Sequence, residues 1–172
     1  MLSNFDLERL AKVYKVKLNG VFSKDTLPER MDEGWFIINL QNLGDGPGTH
    51  WVCYYHEVPE GTSRGQVPEG TSRGQPLIRN ESVYFDSMGV VPPIVINEKL
   101  NLGDVINKQQ IQPLMNDDNC GLYCIGIMCF FKNNPTSTNS SNLKFYQSLF
   151  SKTDLPSNQY RLKIYLSRAV PP

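Results

Sequence analysis

The sequence predicts an α+β domain in which a central mixed β-sheet is packed by one apolar helix and bordered by peripheral helices. Three observations carry that reading. The first residues repeat apolar side chains at helical spacing, and the middle of the chain holds short apolar runs bounded by turn-forming residues. A Cys-Gly pair at 120–121 then ends a polar loop and opens a long run of apolar and small residues, LYCIGIMCFF.

Taken in order, Ser3 has the chemistry of a helix N-cap with Asp6 three residues on, and Leu7, Leu10, Ala11 and Tyr14 mark one helical face. Trp35 to Leu40 (WFIINL) is a nearly continuous apolar run of strand length, so a central strand is expected, with Trp35 in its core. The loop Gly44-Asp45-Gly46-Pro47-Gly48-Thr49 follows. Its glycines let the backbone come close to another group, a substrate strand being one candidate. Strands are expected at Trp51 to His56 and Val83 to Asp86, with Val91-Pro92-Pro93 as a breaker and residues 94 to 107 open between a helix and an irregular crossover. Helices are expected at Cys120 to Phe131, Asn142 to Phe150 and Gln159 to Leu166.

A chain of 172 residues suits one domain over 1–172, burying roughly 70% of the surface its unfolded form exposes. Seventeen Lys and Arg balance seventeen Asp and Glu, so binding to duplex nucleic acid by phosphate neutralisation has no support in the composition. The N-terminal stretch MLSNFDLERLAKVYK lacks the apolar centre of a signal peptide, and no run reaches membrane-spanning length; a soluble, intracellular monomer is expected. Cys53, Cys120, Cys124 and Cys129 show no spaced disulfide framework and no C-x₂-C pair, so reduced thiols are expected, without zinc or another cofactor. One segment stands apart: VPEGTSRGQ occurs at 58–66 and again at 67–75. Two copies without an apolar face cannot stack as a solenoid, and the expectation is a flexible surface insertion at the tip of a hairpin.

The chemistry concentrates in three places. A cysteine at the start of a helix meets the positive end of the macrodipole and unpaired backbone N–H groups, conditions that favour a nucleophilic thiolate. Cys120 stands there. His50 precedes the strand Trp51 to His56, and Asp86 closes the run Val83 to Phe85, so the two meet if these strands pair. A nucleophile, a base and a carboxylate that orients the base make an activated-thiol site, recognised by roles rather than by position in the chain. Each residue alone has a plainer reading: a loop histidine, a turn-forming aspartate, a buried helix cysteine. The conjunction favours the site, whereas Cys53, Cys124 and Cys129 read as core.

The ordered set GTHW (48–51), VYFDSMG (83–89) and Gln112 with NCGLYC (119–124) resembles the adenovirus maturation protease (adenain) and the SUMO-type deconjugating proteases. It looks closest to the adenain-like cysteine proteases of virophages and Polinton-type elements. The resemblance covers residues 34 to 131 and implies that fold. It implies that His50 is the general base, Asp86 its orienting acid, Cys120 the nucleophile and Gln112 the side-chain donor of an oxyanion hole beside the Cys120 N–H. It also implies that Trp51 walls a narrow channel for a glycine-rich substrate. Gln112 lies eight residues before Cys120, slightly farther than in those relatives, and Gln109 and Gln110 are rival donors. The function so implied is a cysteine endopeptidase that cleaves viral capsid or precursor proteins at glycine-containing sites during virion maturation. It would work in the host cytoplasm or viral factory, or packaged in the virion. Two alternatives stand beside it: a protease that removes SUMO or ubiquitin-like proteins, and a non-catalytic binding module of the same fold. A chymotrypsin-like viral cysteine protease is disfavoured, because the residues after Cys120 have helical length and spacing.

Overall fold

The computed structural model describes residues 2–46, 48–58, 81–98, 105–113, 118–135 and 137–169. Apart from Val58, the duplicated VPEGTSRGQ segment lies outside the described residues. Five strands and five helices follow in the order α1 (Asn4–Val13), β1 (Leu18–Ser23), β2 (Gly34–Asn39), β3 (Trp51–His56), β4 (Val83–Phe85), α2 (Ile94–Asn97), β5 (Val105–Ile106), α3 (Cys120–Asn133), α4 (Asn139–Ser148) and α5 (Asn158–Ala169). The sheet runs β1-β2-β3-β4-β5 and is mixed: β1 is parallel to β2 and β5 to β4, while β3 is antiparallel to both of its neighbours, β2 and β4. The α+β architecture with a mixed sheet is thus as expected.

Both faces of the sheet are covered, which is why β2 and β3 read as continuous rather than alternating apolar runs. On one face Trp35, Ile37, Cys53, Val83 and Phe85 pack with α1, α3, α4 and α5; on the other Phe36, Ile38, Val52, Tyr54 and Tyr84 pack with Leu27 and Ile96. Helix α3 is the hub of the first face. Ten of its residues are buried, Tyr123 through Cys129 among them. Gly126 lets α4 and α5 approach, since a methyl group there would lie 2.5 Å from Tyr146 Oη and 2.9 Å from Leu162 Cδ1.

Helix α1 begins as its capping chemistry dictates: Ser3 Oγ accepts from Asp6 N at 3.2 Å and Ser3 N donates to Asp6 Oδ2 at 3.0 Å. Strand β1 was not among the expected strands. Its sequence LNGVFS carries Asn19 and Gly20 in its interior, the pairing with β2 shifts register between Leu18 and Gly20, and none of its six residues is fully buried. An irregular edge strand has little of the periodicity that marks a central one. The region 94–107 resolves, where described, into the short helix α2 and the two-residue strand β5.

Candidate active site

Pairing of β3 with β4 brings two loop residues to one end of the sheet. The register sets Cys53 opposite Phe85, so His50, just before β3, and Asp86, just after β4, meet. His50 Nε2 lies 2.8 Å from Asp86 Oδ1. The Asp86 side chain is 1% exposed and that of His50 12%. The other histidine, His56, ends β3 and bonds Tyr54 Oη through Nδ1 at 3.4 Å, away from this site.

The loops on both sides are built to hold these groups. Ahead of His50, Gly48 adopts φ +98°, and a side chain there would run into Asn39; its N–H donates to Gln41 Oε1 at 3.1 Å. The glycine-rich loop therefore has a conformational reason for its composition. After β4, Asp86 Oδ1 also accepts from Met88 N at 2.7 Å, Asp86 O accepts from Gly89 N at 2.8 Å, and Asn107 Nδ2 donates to Asp86 O at 2.5 Å. Gly89, at φ +71°, closes that turn against the chain of Lys108 to Gln110; an added methyl would lie 2.7 Å from Gln110 N.

Cys120 is the first residue of α3 and is 3% exposed. The Trp51 N–H, next in chain to His50, donates to its Sγ at 3.4 Å, and one turn further along the helix Cys124 Sγ donates to Trp51 O at 3.7 Å. The backbone of a single β3 residue thus docks two turns of α3. With Nε2 engaged by Asp86, Nδ1 is the imidazole nitrogen left for the thiol. It has no aligned hydrogen-bond partner among the described residues. Pairs of this kind are commonly loose before substrate arrives. The electrostatics already register both neighbours. Burial alone lowers the His50 pKa, but hydrogen bonding and charge from Asp86 and Cys120 outweigh it and raise the value from 6.5 to about 9. Deeper in the helix, burial pushes the Cys124 thiol well up and the Cys129 thiol up to about 11.

Gln112 is fully buried against the turn that carries Asp86. Its Oε1 accepts from Ser87 Oγ at 2.5 Å, and its N–H, like that of Ile111, donates to Ser87 O. The rivals are engaged elsewhere: Gln110 Nε2 folds back onto Gln112 O at 2.9 Å, and Gln109 Nε2 reaches toward Gln147 O on α4 at 3.5 Å. The link from Gln112 to Cys120 passes through residues outside those described. Trp51, the expected channel wall, is 1% exposed with its indole N–H donated to Leu2 O at 3.1 Å. A substrate meets that ring only where the Leu2 segment yields.

The structure therefore brings His50, Asp86 and Cys120 together and adds residues that their types alone did not reveal: Ser87, Cys124 and Asn107, whose Oδ1 also accepts from Gln147 Nε2. Ser87 was visible in the sequence only as a turn residue. A cavity of about 590 Å³ opens at the opposite end of the sheet, lined by Trp35, Tyr55, Phe131, Glu57 and Lys132 among others, and includes none of the four expected catalytic residues. Among the described residues no cluster of His, Cys, Asp and Glu could hold a metal ion, and no helix is long and apolar enough to cross a membrane. No family model matches the chain, and no curated protein matches it either.

Proposed function

We propose that this chain is an adenain-like cysteine endopeptidase that processes viral capsid or precursor proteins. The observation that carries the reading is the buried contact of 2.8 Å between His50 Nε2 and Asp86 Oδ1, at the sheet end where the Trp51 N–H holds Cys120 Sγ at the start of a helix. The Cys120 thiolate attacks the peptide carbonyl carbon. The carbonyl oxygen becomes an oxyanion that accepts from the Cys120 N–H, unpaired within the helix by its place in the first turn, and from the Gln112 amide. His50 delivers the proton on Nδ1 to the leaving amine as the C–N bond breaks. Water, deprotonated by the same imidazole, then hydrolyses the thioester and restores the thiol.

The 3% exposure of Cys120 and the covered Trp51 favour a slender substrate chain. Glycine is preferred at the residue that donates the scissile carbonyl or two positions before it. Incubation with a panel of virion proteins and a SUMO fusion, followed by sequencing of the new termini, tests the reading. Cuts after glycine-containing motifs in virion proteins support maturation, and release of SUMO alone moves the assignment to deconjugation. Absence of any cleavage together with an inert Cys120 leaves the binding-module alternative.

A further inference from the structure

We infer that Ser87 is a positioning residue that sets the orientation of the Gln112 side-chain amide, so that its NH₂ group rather than its oxygen meets the oxyanion. This deepens the protease reading and rests on it. The two ends of a primary amide have nearly the same shape and opposite hydrogen-bonding character. An oxyanion donor turned by half a rotation presents a carbonyl oxygen to a developing negative charge, so the site needs a device that tells the ends apart. Ser87 Oγ is such a device. It is 1% exposed and donates to Gln112 Oε1 at 2.5 Å, both groups lying out of water, where a mismatched pair costs the most. With the oxygen end held, the NH₂ end is fixed. It carries two protons, so one further partner still leaves a donor for the substrate.

The backbone reinforces the side chain. Ser87 O accepts from Ile111 N at 2.8 Å and from Gln112 N at 3.0 Å, so the same residue holds Gln112 by main chain and amide. Asn158 Nδ2 donates to Ile111 O at 2.8 Å and ties that segment to α5. The dipeptide Asp86-Ser87 thus divides two tasks: its carboxylate orients the base and its hydroxyl orients the oxyanion donor. One turn couples both halves of the site.

The test compares turnover of a cleaved substrate with alkylation of Cys120 by iodoacetamide, which develops no oxyanion. Ser87→Ala removes the donor and keeps the backbone contacts. The expected result is a ten- to hundredfold fall in kcat, with KM and the alkylation rate unchanged, and with recovery in Ser87→Thr if the added methyl is accommodated. The decisive arm is the double variant. If Ser87 acts through Gln112, Ser87→Ala in a Gln112→Ala background lowers kcat no further, since the amide it orients is gone. Thermal melts and circular dichroism establish that each variant is folded, and Ser87→Gly serves if Ser87→Ala is not. Wild-type kcat in a folded Ser87→Ala protein, a parallel loss of alkylation, or additive losses in the double variant each overturn the inference. A loss in Gln112→Ala without one in Ser87→Ala overturns it and leaves the protease reading standing. Persistent cleavage by Cys120→Ala removes the reading itself.

Discussion

Replacing Asp86 with Asn tests how the base is poised. The substitution keeps the shape of the side chain and an oxygen able to accept from His50 Nε2 and Met88 N, the two donors now at 2.8 Å and 2.7 Å from Oδ1. It removes the charge. Burial then acts on His50 with only Cys120 to oppose it, and the titration midpoint is expected to fall from about 9 toward the ordinary 6.5. At pH 8 a group titrating at about 9 is about 90% protonated and one at 6.5 about 3%, so the imidazolium population drops roughly thirtyfold, and peptide turnover with it. The stability consequence has a definite sign. A raised histidine pKa stabilises the fold fully below pH 6.5, and the benefit is lost as pH rises to about 9. At 1.36 kcal/mol per pH unit the maximum is about 3 kcal/mol, so the gap in stability between wild type and Asp86→Asn should be widest at pH 6 and narrow toward pH 9. The chain has two histidines, so proton NMR of the Cε1–H signals, assigned with a His56→Asn protein, follows His50 directly. An unchanged His50 midpoint in Asp86→Asn would refute the reasoning.

In the wild type, turnover should decline as pH passes through about 9, because the leaving amine loses its proton donor, while iodoacetamide alkylation, which needs only thiolate, should not decline; a parallel loss of both would contradict the assigned role of His50. Among the four cysteines, Cys120→Ala should abolish cleavage, whereas Cys53→Ala, Cys124→Ala and Cys129→Ala should act chiefly on the melting temperature. Native labelling followed by peptide mapping should find Cys120 modified first, since it stands at the helix start beside His50, whereas Cys53 is fully buried in β3 and burial raises the Cys124 and Cys129 thiols. Gly126→Ala should cost about 1–2 kcal/mol by crowding Tyr146 and Leu162, lowering Tm by about 3–6 °C with turnover per folded molecule unchanged. Gly89→Ala must displace the chain of Lys108 to Gln110 and with it Gln112, so turnover should fall more than alkylation; equal losses would place Gly89 outside the oxyanion machinery.

Much of the fold was legible because its signals are local. The Ser3 and Asp6 cap, the apolar run at Trp35, and the small-residue helix beginning at Cys120 each follow from chemistry within a few residues, and the structure has elements at those positions. Strand β1 was not legible, since an edge strand with a register shift at Gly20 is stabilised by its neighbour β2 rather than by its own pattern. Helix α4 starts at Asn139, three residues before the expected Asn142, because Thr138 Oγ1 accepts from Ser141 N and caps an earlier turn in a stretch of Asn, Ser and Thr that reads as loop. The meeting of His50 with Asp86 could be anticipated from strand pairing alone. The roles of Ser87, Asn107 and the Trp51 backbone could not. Each depends on contacts across long chain separations, 25 residues from Ser87 to Gln112 and 69 from Trp51 to Cys120, which carry no trace in local composition.

The central claim is that Cys120 forms a covalent acyl intermediate during peptide cleavage. A substrate found in the cleavage panel should be mixed with the protein, quenched in acid within the first turnovers, and the protein weighed intact and after digestion. The account predicts a mass increment equal to the acyl half of the substrate, located on Cys120, lost on treatment with hydroxylamine and absent from Cys120→Ala and His50→Ala. Cleavage that continues at the wild-type rate in Cys120→Ala, with no adduct on the wild-type protein, would contradict it.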